Sequence, residues 1–281
     1  MTGQGGLVRS AMREAALAWG AVAAEPARFL RYGGAPMVAA LGLQLALGIL
    51  RPMPDMEGVA PDQQMAVISD WVAANTWPVF VWIVLTAWST VRLMVQTTRW
   101  VVGGEDGVGL LDPGFGLREL RWLGWSFVLG VATLPAFLLM MVIVAMLSAV
   151  GAVAFGIGTG DMAAGGGTGA VVMAIIGTLI GYAAVTYTLA RLMPGLVPIA
   201  FDRPAALGKA WTKGEPAAGY GTVLIYGVLV PPLLLSLLIG EQGMFSPIQT
   251  LLTLLGYVAY AALAVAVARH WYRAGEPGRD S

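Results

Sequence analysis

Trp122-Leu-Gly-Trp-Ser-Phe-Val-Leu-Gly-Val-Ala-Thr-Leu-Pro-Ala-Phe-Leu-Leu-Met-Met-Val-Ile-Val-Ala-Met-Leu-Ser-Ala-Val150 carries no charge, and the charge-free run continues to Gly160. A helix crossing about 30 Å of hydrocarbon needs about 20 apolar residues, so this stretch has length to spare. It holds no polar turn, which argues for one long helix kinked at Pro135 rather than two spans. Neighbouring groups or water would then meet the carbonyl that the proline frees.

Five further charge-free runs lie outside it: Tyr32–Leu50, Trp71–Val91, Met162–Ala190, Pro216–Gly240 and Gln242–Ala268. Apolar residues make up 58% of the 281-residue chain and charged ones 11%, with a mean hydropathy of +0.75. A soluble domain has too little polar surface to cover so much apolar side chain. The fold class expected is an all-α integral membrane protein, a bundle of six transmembrane helices with short interfacial helices on the cytoplasmic side. Residues 1–34 form a cytoplasmic amphipathic segment, 35–270 the membrane domain and 271–281 a cytoplasmic tail. The spans fall near 33–50, 72–91, 123–150, 169–190, 219–240 and 247–268.

Charge sets the orientation. With the N-terminus inside, Arg51 is the one cation of the 16 Lys and Arg residues that falls in an outer loop. Cations near span ends resist export, so both termini are expected in the cytoplasm. The inner segments are also longer, yet placement in proportion to length would leave about four cations outside. Trp71 and Trp77 mark the outer boundary, while Trp100, Trp122, Trp125, Trp211 and Trp271 mark the inner one.

The residue inventory narrows the chemistry. The chain has no cysteine and one histidine, His270, which leaves no thiolate metal site and a catalytic triad only at the inner interface. Net charge is zero, which predicts no nucleic-acid partner. No catalytic residue, cofactor site or metal site is expected. The outer loop 51–70 holds Asp55, Glu57, Asp62 and Asp70 but lacks the spacing of a calcium loop, and it reads as a solvated acidic segment. The glycine-rich stretch Gly156–Gly167 has no Gly-Lys-Ser/Thr and reads as a linker. No Asp, Glu, Lys, Arg or His falls inside the six runs, which disfavours an ion-coupled transporter. Gln44, Asn75 and Gln249 can line a path or, more simply, hydrogen-bond between helices.

Attention therefore moves to the inner loops. Arg92-Leu-Met and Arg191-Leu-Met close the second and fourth runs, 99 residues apart, and each leads into a proline-led amphipathic segment. The first carries Arg118 and Arg121, the second Lys209 and Lys213. These six cations are candidate contacts for lipid headgroups or another anion. The alternative for Arg92 and Arg191 is snorkelling, or capping the last carbonyls of a helix. The matching segments hint at an internal repeat. Gly177 and Gly181 form a small-residue seam for packing within the bundle or between protomers. Pro194 and Pro198 should stop the fourth helix at an elbow, with Asp202 capping a short interfacial helix. In residues 7–31, Arg9, Arg13 and Arg28 can face headgroups while Leu7, Leu17 and Phe29 dip inward, or the whole helix can pack on the bundle.

The segment Arg191-Leu-Met-Pro-Gly-Leu-Val-Pro-Ile-Ala-Phe-Asp-Arg-Pro-Ala-Ala-Leu-Gly-Lys-Ala-Trp-Thr-Lys-Gly214 resembles one recurring in bacterial six-helix inner-membrane proteins. These include YciC-like proteins and the membrane portion attached to some glycerophosphodiester phosphodiesterases. Arg99-Trp-Val-Val-Gly-Gly-Glu105 and Leu117-Arg-Glu-Leu-Arg-Trp-Leu-Gly124 are similar to the matching inner loop of such proteins. The chain lacks the soluble phosphodiesterase domain, so the resemblance implies a six-span architecture and no reaction. The expected function is non-enzymatic, through contacts with membrane lipids, other membrane proteins or a second copy, as a scaffold or envelope-maintenance factor. The alternative is a transporter of lipid or another apolar solute without an intramembrane ion-coupling site.

Overall fold

Proline and glycine punctuate this chain. Pro26, Pro61 and Pro247 each occupy the first turn of a helix, where the missing N–H costs no hydrogen bond. Gly104 ends another helix in the left-handed region at φ 68°, its N–H bonded to the Trp100 carbonyl at 3.0 Å. The computed structural model describes residues 3–52, 54, 60–104, 109, 116–159, 164–213, 218–239 and 245–275. Asp55, Glu57, residues 160–163 of the glycine-rich stretch and the tail after Gly275 lie outside them.

The described residues form nine α-helices: α1 (Gly3–Ala24), α2 (Pro26–Leu50), α3 (Pro61–Ala74), α4 (Thr76–Gly103), α5 (Leu117–Thr159), α6 (Ala164–Leu192), α7 (Leu207–Lys213), α8 (Ala218–Ile239) and α9 (Pro247–Gly275). A 3-10 helix, Met193–Phe201, joins α6 to α7. Six stretches are long and apolar enough to cross a membrane: Pro26–Leu50, Thr76–Gly103, Leu117–Ala154, Ile176–Phe201, Gly219–Ser236 and Pro247–His270. The protein is an all-α, multi-pass, membrane-embedded bundle.

α9 is the axis of a packed hub. Ala261, Ala262, Ala264, Ala266 and Ala268 are all buried, because side chains this small let helices close in from several sides. α1, α2, α4, α8 and the 3-10 helix surround it. At the opposite end of α2, α4 and α9, Leu47, Trp71 and Phe245 form a second cluster. There Arg51 donates to Asn75 Oδ1 at 3.2 Å, and Trp71 Nε1 donates to the Pro52 carbonyl at 3.1 Å. Trp71 is thus buried fold cement, whereas Trp77 is exposed.

α5 and α6 make an antiparallel hairpin beside the hub. A Cβ on Gly151 would collide with the Gly169 carbonyl, on Gly177 would press on Val144, and on Gly181 would collide with Met140. The Gly177–Gly181 seam therefore closes the hairpin itself. α5 runs unbroken through Pro135 from Leu117 to Thr159.

Four sequence expectations change. α4 does not end at Arg92 but continues to Gly103, so Arg92 and Arg99 lie inside it. The second run is divided, with α3 ending at Asn75, whose side-chain amide donates to the Trp71 carbonyl at 2.8 Å. Part of the outer loop is thus the helix α3 rather than an irregular segment. The elbow at Pro194 and Pro198 is not at the surface: Met193, Pro194, Leu196, Val197, Ile199 and Ala200 are buried in the hub. Two prolines remove two α-helical donors, and the tighter 3-10 turn lets this apolar segment stay inside. Asp202 ends this 3-10 helix at φ 57° rather than capping α7.

The N-terminal segment is two helices meeting at Glu25. Ala11, Ala15, Ala18 and Val22 pack on α8 and α9, while Arg9, Arg13 and Leu17 stay exposed. Bundle packing takes one face and leaves an amphipathic one outside.

Candidate functional site

Arg92 is the largest fully buried side chain in the described structure. α4 places it 11 residues before Gly103, about 16 Å from the helix end at 1.5 Å per residue. A guanidinium held inside apolar helices needs acceptors, because an uncompensated buried charge is strongly destabilising. α2 supplies the opening. Gly34 has φ 61° and ψ −162°, outside helical space, and breaks α2 in two. Any Cβ on Gly34 would collide with the Arg92 guanidinium, so only glycine fits both the backbone and the space. Arg92 Nη2 donates to the Gly109 carbonyl at 2.9 Å and reaches the Arg31 carbonyl at 3.5 Å. Arg31 lies in the last turn of the first half of α2, where the negative end of a helix dipole favours a cation.

Arg191, one residue before the end of α6, is also buried. Its Nη2 donates to the Trp211 carbonyl at 2.5 Å, and its guanidinium lies 4.0 Å from the Trp211 ring centroid and 5.8 Å from that of Tyr187. Both Arg-Leu-Met arginines thus bind a carbonyl on the segment that follows their helix, 17 and 20 residues on. They fasten one segment of the chain to another from buried positions, and other cations remain the candidates for headgroup contact.

Those residues gather where α4, α5 and the end of the 3-10 helix meet. Arg118 makes a two-pronged ion pair with Asp202, through Nη2 to Oδ2 and through Nε to Oδ1 at 3.3 Å. The hydrogen bond from Arg118 holds the Asp202 carboxyl below its ordinary range, and Arg118, Arg121 and Arg99 add electrostatically. Arg118 thus pairs with an exposed carboxylate on which the half-buried Arg99 of α4 and the exposed Arg121 of α5 also act. Beside them Glu119 is buried, its oxygens taking the Gln96 side-chain N–H at 3.2 Å and the Gly116 N–H at 3.0 Å. Lys209 is exposed on α7, and Lys213 closes α7 with its side chain outside the described structure. The structure brings Arg118 and Arg121 together with Arg99 and Asp202, and places Arg92 and Arg191 elsewhere.

His270 stacks on Tyr220, with ring centroids 5.3 Å apart, and the Tyr220 hydroxyl donates to the buried Glu14. This arrangement ties α1 to α8 and α9. Among the described residues no three His, Asp or Glu side chains group as a metal site would.

Two apolar clefts open between helices. One, of about 340 Å³, lies between the α1–α2 joint, α4 and α9, with Phe29, Met37, Leu93 and Tyr257 among its walls. The other, of about 280 Å³, lies between α4 and α5 and is lined by Val84, Ala87, Trp88, Val91, Leu123 and Glu119. Neither was legible beforehand, because each depends on which faces of distant helices meet. Arg99 and Glu119 stood in the sequence only within the two segments that resemble an inner loop of six-helix proteins, with no role attached to either. No family model, curated protein or solved structure matches this chain.

Proposed function

We propose that this chain is a bacterial inner-membrane protein, of the six-helix kind that its elbow segment resembles, with both termini cytoplasmic. It works without chemistry of its own, by holding lipids or membrane proteins at its cytoplasmic face as a scaffold. The observation that carries this reading is the enclosure of Arg92 and Arg191. Two arginines inside candidate spans are buried and bound to backbone carbonyls of the segments that follow their helices, as fold-holding groups are, while Arg121 is exposed and Arg99 and Arg118 are half-buried. The distribution of the 16 Lys and Arg residues supports that end of the bundle as the inner one.

Because the chain has no cysteine, orientation is testable with single reporters. Ser10→Cys should react with an impermeant thiol reagent in inverted vesicles, and Met65→Cys in right-side-out ones; the reverse pattern sinks the orientation. For the scaffold role, purification from native membrane should retain the same lipids or proteins in repeated preparations. Recovery of neither counts against it.

A second reading, transport of lipid or an apolar solute, is favoured by the cleft of about 340 Å³ against α9. Filling it with Leu93→Trp should slow lipid movement in reconstituted vesicles. Movement equal to that of protein-free vesicles with the unaltered chain removes this reading.

A further inference from the structure

The surface between α4 and α5 joins a cation cluster to an apolar cleft. Val84, Ala87, Trp88 and Val91 recur at helical spacing along one face of α4, and Leu123 of α5 closes the far side. Both walls belong to stretches able to cross a membrane, Thr76–Gly103 and Leu117–Ala154, so the cleft opens toward hydrocarbon rather than water. Val84 is 44% exposed and Leu123 37%, which leaves the cleft open on its outer side. Continuing along the same α4 face, 11 residues past Trp88, comes Arg99. Eleven residues are close to three full helical turns, so Arg99 stands over Trp88, nearer the end of α4. On α5, Arg118 and Arg121 flank Glu119, which lines the same cleft.

Each part selects something different. Three arginines set against the Asp202 and Glu119 carboxylates leave an excess of one positive charge at the rim among the described residues. Guanidinium groups suit phosphate oxygens, and a rim of this sign at the inner leaflet attracts anionic headgroups. The cleft below it suits an acyl chain and has no partner for a soluble anion. The rim and cleft together match one molecule, with a negative head and an apolar tail.

We propose that the α4–α5 junction binds an anionic phospholipid, its phosphate held by Arg99, Arg118 and Arg121 and one acyl chain lying along Val84, Trp88, Val91 and Leu123. The site rests on the reading that this protein works through lipid contacts, and names the lipid class. Arg118 has a second duty, since its hold on Asp202 ties α5 to the 3-10 helix. The test therefore spares it.

The full chain, delipidated in detergent, is titrated with phosphatidylglycerol, phosphatidylcholine, and inorganic phosphate, with bound lipid read by native mass spectrometry. Phosphatidylglycerol should bind at least about tenfold more tightly than phosphatidylcholine, since each arginine near a headgroup contributes a several-fold preference. Arg99→Gln with Arg121→Gln should abolish that preference, while Arg99→Lys with Arg121→Lys keeps it. Leu123→Trp should weaken both lipids alike by filling the cleft. Unchanged thermal unfolding of each variant shows that the fold has survived, and Val84→Trp replaces Leu123→Trp if that variant fails to fold. An anionic preference that survives the glutamine pair overturns this site and leaves the lipid-contact reading standing. Binding of neither phospholipid by the unaltered chain overturns both. Inorganic phosphate binding as tightly as phosphatidylglycerol overturns the lipid assignment in favour of a free-anion site.

Discussion

α9 and α5 are both long and apolar, yet the protein uses them in opposite ways. In the span Pro247–His270, 56% of the sampled residues are buried; in Leu117–Ala154 the share is 6%. The hub around α9 is held by shape and by polar pins: an alanine axis, Arg92 under Gly34, and Ser89 donating to the Tyr257 hydroxyl at 2.7 Å. The α5–α6 hairpin is closed along its glycine seam, and turns Phe127, Leu138 and Met146 outward. Between helices already in hydrocarbon, apolar character gives no preference for protein over lipid; close packing and hydrogen bonds decide. Hydropathy therefore marks both helices as spans without separating a core from a flank.

The largest effect should come from breaking the hub at its pin. Gly34→Ala places a methyl group against the Arg92 guanidinium in a left-handed backbone, and should cost about 3 kcal/mol or more. Arg92→Ala empties the space of the largest fully buried side chain among the described residues, at a similar cost of about 3 kcal/mol. The double variant removes the collision, so thermal unfolding in detergent should show it well short of the sum, by about 1 kcal/mol or more. Strict additivity would mean that the two residues do not share the space described.

The hairpin should answer differently. Gly181→Leu pushes α6 off Met140 and should cost about 1–3 kcal/mol, but within the hairpin. Hydrogen exchange would then rise in α5 and α6 while the amides of α9 keep their protection. Equal loss in both places would show that hub and hairpin open as one unit. A smaller change within the hub, Tyr257→Phe, removes one interhelical hydrogen bond and should cost about 1 kcal/mol or less, with no change in hairpin exchange.

What could be read beforehand follows the same divide. Charge-free length identified six spans, because a bilayer imposes length on every helix alike. It misplaced Arg92 for a related reason. The charged residue marked the end of a run, and a run of uncharged letters does not reveal that a helix continues past one cation that its neighbours enclose. Gly34 stands in the sequence as one of two adjacent glycines, and the partner that makes it obligatory lies 58 positions away in α4. The 3-10 helix misled in the opposite sense. Two prolines marked a stop correctly, and their apolar neighbours could have signalled burial rather than a surface elbow. Of the proposed anion contacts, Arg118 and Arg121 were legible from local composition, whereas Arg99 joined them only once α4 extended past Arg92.

The smallest effect belongs to the joint between the regions. Asp202 ends a 3-10 helix buried in the hub, and its carboxylate holds Arg118 at the start of the hairpin. The hydrogen bond from Arg118 lowers the Asp202 pKa below 3.8, the ordinary value. Lowering favours the ionised form in the folded state, so the contribution is full above the ordinary carboxylate value and fades as pH falls through the depressed one. Asp202 is mostly solvent-exposed, and screening keeps the contribution small. Asp202→Asn tests the charge alone, because asparagine also tolerates the left-handed backbone at φ 57°. At neutral pH the variant should be slightly less stable, with exchange raised at the start of α5 rather than in α9. Once the pH lies below the depressed value the two proteins should converge. A difference that persists unchanged in acid would assign Asp202 a role through its backbone, and the hairpin would then be joined to the hub by shape rather than charge.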